Sequence, residues 1–108
     1  MTDSISQSRM EEAMAFLAET DDDYAAAKTD LLRCEILCKR VRARAYLTAD
    51  GSSVEARKAA AEGAQDVLTA DDALIAATLA FERLRARRGR AEILIEVWRS
   101  VNASRRKS

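Results

Sequence analysis

The sequence predicts an all-α chain: a long antiparallel helical hairpin, coiled-coil-like, with a short connecting helix between its arms. Three observations predict it. The 108 residues include no proline and only three glycines, and they are 48% apolar and 33% charged, a composition that favours long helices. Apolar residues recur at alternating steps of three and four over two long stretches, which is the seam of a helix packed along another helix. The charges fall in four alternating blocks: net −6 over residues 1–24, +4 over 25–48, −5 over 49–82 and +7 over 83–108. The total is zero. An antiparallel hairpin lays the first block beside the fourth and the second beside the third, so every acidic stretch meets a basic one.

The first arm is expected over residues 8–48. Its seam reads Met10, Ala13, Leu17, Thr20, Tyr24, Ala27, Leu31, Cys34, Cys38, Val41 and Ala45. Met14, Phe16, Leu32, Ile36 and Leu37 widen the stripe, as in a helix with more than one neighbour. Ser6 or Ser8 caps the start, and Glu11 and Glu12 suit the positive end of the helix dipole. Asp50-Gly51-Ser52-Ser53 ends the arm, with Gly51 expected in a left-handed capping conformation. Ser52 with Glu55 reads as a capping box, which opens a short helix over 53–62.

The second arm is expected over residues 67–103, with Thr69 and Asp72 near its start. Its seam reads Val67, Ala70, Leu74, Ala77, Phe81, Leu84, Arg88, Ala91, Ile95, Trp98 and Asn102. Residues 104–108 form a polar, frayed basic tail. Setting residue 47 opposite residue 69 brings Leu17 level with Trp98 and Leu31 level with Arg85. Asp21, Asp22 and Asp23 then lie between the levels of Arg90 and Arg99. Residues 1–108 make one domain. Five aromatic residues leave the core to aliphatics and alanine, so self-association into a dimeric bundle is expected.

The sequence argues against several function classes. No stretch approaches the ~20 apolar residues of a membrane span. The polar N-terminus has no apolar signal-peptide region, and two cysteines without secretory features point to a reducing cytoplasm. Cys34 and Cys38 share a helical face, but without histidine or further cysteine they read as small core residues, not a metal site. The run Asp21-Asp22-Asp23 lacks the spacing of a calcium loop. No nucleophile–base arrangement stands out, so no enzyme activity, cofactor or small-molecule substrate is expected.

The contact candidates are basic. Arg83, Arg85, Arg87, Arg88 and Arg90 form a cluster in which guanidinium groups can pair with phosphates or with carboxylates of the facing arm. Arg88 lies on the seam itself, where a polar residue either fixes register or marks where a partner chain supplies a carboxylate. Arg105, Arg106 and Lys107 follow the last apolar residues and serve either as weak phosphate contacts or as a solubilising tail. Lys39, Arg40, Arg42 and Arg44 read as a solvated face. Ile93, Leu94 and Val97 broaden the apolar stripe into an interface candidate, and Trp98 reads as a core or interface anchor.

The ending Ala91-Glu92-Ile93-Leu94-Ile95-Glu96-Val97-Trp98-Arg99-Ser100-Val101-Asn102-Ala103-Ser104-Arg105-Arg106 resembles the close of a group of small uncharacterised helical proteins of tailed bacteriophages and prophages. Leu17-Ala18-Glu19-Thr20-Asp21 and Tyr46-Leu47-Thr48 are similar more loosely. Those proteins tend to be encoded near recombination functions. The resemblance implies a non-enzymatic accessory factor of DNA recombination or replication in a bacterial host cytoplasm, contacting DNA or a DNA-processing protein. It assigns no role to any residue. The alternative expectation is a protein-interaction module, an inhibitor or adaptor of a host protein, without DNA binding.

Overall fold

The computed structural model of the chain describes residues 6–107, and side chains through Arg106. It has three helices, α1 (Gln7–Thr48), α2 (Val54–Glu62) and α3 (Gln65–Lys107), and no strand among the described residues. The fold is the expected helical hairpin with a short connecting helix. Every seam position named above on α1 and α3 is buried or half-buried.

The helix ends correct several details. Ser6 caps α1: its Oγ accepts from the Arg9 N–H at 3.1 Å and its carbonyl from the Met10 N–H at 3.1 Å. Ser53, not Ser52, caps α2; its backbone is extended and its Oγ accepts from the Ala56 N–H at 3.1 Å. No described glycine has a positive φ, so Gly51 is not a left-handed cap. Its role is steric, because a Cβ there would lie 2.9 Å from the backbone nitrogen of Arg57. α3 starts at Gln65, where the Ala64 carbonyl accepts from the Val67 and Leu68 N–H groups at 3.1 Å. Thr69 instead accepts from the Gln65 side chain at 3.1 Å. Residues 104–107, expected as a frayed tail, continue α3, since neither glycine nor proline interrupts them.

The register is also corrected, by about two helical turns. Cys38 Sγ donates to the Ala70 carbonyl at 3.2 Å, and Arg88 meets Asp21 at 2.7 Å. The cause is α2, which folds back along the last turns of α1. Arg57 donates to the Tyr46 carbonyl at 3.5 Å and sits 4.7 Å from the centre of its ring. α3 therefore meets Cys38 and Arg42 through Ala70 and Asp71, early in its course.

The chain forms two compact units: unit 1 (Met1–Ala25 with Glu82–Ser108) and unit 2 (Ala26–Phe81). Unit 1 is a two-helix pair whose core is Met10, Ala13, Ala91 and Ile95, with Phe16, Leu17, Leu94 and Trp98 packed against it. Unit 2 has three helical segments around fully buried Val67, with Cys38, Ala61, Ala70, Ala77 and Phe81 also buried. Half of the ten buried apolar residues among the described residues are alanine, so the core is thin. No helix is long and apolar enough to cross a membrane among the described residues.

Candidate functional site

The arginines of α3 separate into two groups by helical spacing. Arg83, Arg87 and Arg90 stand at i, i+4 and i+7, so they share one face. Arg85 and Arg88 point elsewhere, and both are engaged within unit 1. Arg85 pairs with Glu82, one turn back, at 3.5 Å.

Arg88 is the most enclosed of the set, with 14% of its side chain exposed. Its Nη1 donates to the Leu17 carbonyl at 2.9 Å and to Thr20 Oγ1 at 2.7 Å. Its Nη2 donates to Asp21 Oδ1 at 2.7 Å, and its guanidinium lies 4.9 Å from the centre of the Tyr24 ring. Thr20 Oγ1 in turn donates to the Phe16 carbonyl at 2.7 Å. A cation withdrawn from water needs such satisfaction. Arg88 is thus a structural clamp between α1 and α3, and it leaves the set of partner contacts expected from the sequence.

Arg87 and Arg90 line a groove of about 420 Å³ between the two helices of unit 1, together with Arg9, Glu12, Phe16 and Leu94. Ala13 and Ala91 form its floor. The Arg87 guanidinium sits 4.8 Å from the centre of the Phe16 ring, a cation–π contact that extends it along the groove. Neither Arg83, Arg87 nor Arg90 makes an ion pair among the described residues. The groove therefore offers guanidinium donors over an apolar, aromatic wall, tempered by the Glu12 carboxylate.

The remaining candidates fall in different places. Arg105 and Arg106 are exposed on the last turns of α3, and the Lys107 side chain lies outside the described residues. Ile93 is 65% exposed and Val97 39%, with Val101 exposed one turn further on. Leu94 and Trp98 are half-buried against the unit 1 core. Trp98 is thereby a core anchor.

Unit 2 holds a second clamp that sequence reading assigned to a solvated face. Arg42 donates to Glu62 at 2.9 and 3.3 Å and to Asp71 at 2.7 Å, tying α1 to α2 and α3. The hydrogen bonds to Glu62 and Asp71 hold its guanidinium protonated beyond the usual range. Cys38 is buried and Cys34 half-buried. Burial, with nearby Asp71, pushes the Cys38 thiol above its ordinary pKa. No group of three or more metal-ligating side chains occurs among the described residues.

Sequence reading did not single out Arg9 or Phe16 as site residues. The spacing of Arg83, Arg87 and Arg90 carried a signal, but Arg9 and Phe16 join them only through the pairing of two distant segments. No family model matches the chain, and neither a curated protein nor a solved structure matches it.

Proposed function

We propose that this chain is a non-enzymatic accessory protein that acts by contact, through the arginine face of unit 1, on DNA during recombination or replication. The observation that carries the reading is the row Arg83, Arg87 and Arg90, exposed on one face and in no ion pair among the described residues. Arg87 and Arg90 flank a groove walled by Phe16. Guanidinium groups over an aromatic surface suit a single strand, whose phosphates take the charge and whose bases have faces to stack. The resemblance of the C-terminal segment to phage proteins encoded near recombination genes agrees with this role.

The test is fluorescence anisotropy of labelled single-stranded DNA with the full chain at ~50 and ~200 mM salt. Three phosphate contacts on a single strand predict affinity about 20-fold weaker at the higher salt. R87E/R90E should abolish binding. Absence of binding by the wild-type chain at the lower salt would sink the DNA reading.

A second reading rests on a separate observation. Ile93, Val97 and Val101 recur every fourth residue and remain exposed. Such a strip suits an apolar face of a protein partner. On this reading I93S/V97S abolishes capture of a DNA-processing or host protein, and R87E/R90E leaves capture intact.

A further inference from the structure

A groove in unit 2, separate from the arginine face, has a rim that matches itself. It is lined by Lys28, Thr29, Leu31, Leu32, Glu35 and Phe81, with a volume of about 360 Å³. Leu32 is 55% exposed beside it, while Phe81 is buried at its base. Lys28, Leu32 and Glu35 stand at i, i+4 and i+7 of α1, so they share one face. Lys28 and Glu35 are about 10 Å apart along the helix axis, too far to pair with each other. Neither makes an ion pair among the described residues.

The geometry points to a second copy of this chain as the occupant, packed antiparallel along α1 about a two-fold axis between Leu31 and Leu32. A half-turn there exchanges the two ends of the rim. Lys28 then meets the partner's Glu35 while Glu35 meets the partner's Lys28, and the exposed Leu32 side chains cover each other's grooves. An isologous interface requires this kind of self-complementarity, in which contact i to j is repeated as j to i. A partner of one charge sign would meet one matching and one opposing rim charge. The chemistry is that of a small apolar centre with an acid–base rim.

The rim makes a specific experiment available. Mass is measured by light scattering over a dilution series of the full chain, with helicity checked by circular dichroism. The wild-type chain is expected to self-associate. K28E places acid against acid at both rim contacts, and E35K places base against base. Each alone should weaken self-association about tenfold or more. An equimolar mixture of K28E and E35K should recover wild-type affinity, because both contacts in the mixed pair are again acid to base. The double variant K28E/E35K should recover it as well. All of these positions are exposed, so folding is expected to persist. A wild-type chain that stays monomeric would overturn the proposal. So would single variants that associate as tightly as wild type, or a mixture no tighter than either variant alone.

Discussion

Unit 1 and unit 2 are built from the two arms of one hairpin, and each is neutral: ten acidic and ten basic side chains in the first, eight of each in the second. They differ in how they use that balance. In unit 2 a third helix folds back, and Arg42 joins all three segments while still 38% exposed. In unit 1 two helices suffice, and Arg88 joins them from a nearly enclosed position. Unit 1 then has Arg83, Arg87 and Arg90 on one face without an ion pair among the described residues, beside a groove with an aromatic wall. An even charge count thus does not mean mutual neutralisation. Three ion pairs, Asp30–Arg33, Glu82–Arg85 and Glu96–Arg99, lie within one helix, one turn apart. Such exposed pairs contribute little to stability.

The largest expected effects bear on where the fold is held. Ile95→Ala, in the unit 1 core, should cost about 3 kcal/mol in chemical denaturation, and Val67→Ala, in unit 2, about 2 kcal/mol. A larger loss from Val67→Ala would move the weight of the fold to unit 2. Next come the clamps. Arg88→Met should cost about 2 kcal/mol, because it leaves the Leu17 carbonyl and Thr20 without their cationic donor. Arg42→Met, at a wetter site, should lower the melting temperature by less. Equal losses would show that burial does not set the worth of these clamps.

Two glycines should respond with opposite signs. Gly51→Ala should destabilise by about 1 kcal/mol, since its Cβ would meet the Arg57 backbone. Gly89→Ala should stabilise by about 1 kcal/mol, because a Cβ there meets nothing within 4 Å and helix propensity improves. Thermal melts of the two variants decide this. A loss at Gly89 would mean that α3 needs backbone freedom there.

The smallest effect concerns Cys38. Its thiol is raised above the ordinary 9.0 by burial, so the unfolded chain ionises first as pH rises. The stability tied to the neutral thiol is present below about pH 9 and falls as pH climbs towards the folded value. Urea midpoints at about pH 8 and about pH 10 should therefore drop more for wild type than for C38A. An identical drop would place Cys38 outside the account.

Much of the fold was legible because burial along a helix is a local, periodic property. The seams from Met10 to Ala45 and from Val67 to Asn102 follow from spacing alone. Register was not legible, because it depends on how the segment from Ala49 to Ala64 folds. Spacing marks the α2 helix but not that it turns back along Arg42 and Tyr46. Arg42 was hidden for the same reason, since its partners Glu62 and Asp71 become neighbours only once α2 is placed. On the site, Arg88 stood out as a cation on an apolar seam. The pairing of Arg87 with Phe16 needs two segments some seventy residues apart to meet, as they do in unit 1.

On the proposed function, contact with DNA belongs to the arginine face of unit 1 and not to basic charge in general. The direct test is the single-strand titration at ~50 mM salt with two charge-matched variants. R87E/R90E alters unit 1, and K39E/R40E makes the same change of charge on the exposed face of α1 in unit 2. The account predicts that the first variant loses binding and the second retains it within about twofold. Equal losses in both would contradict it, and would leave unit 1 with no special claim to the contact.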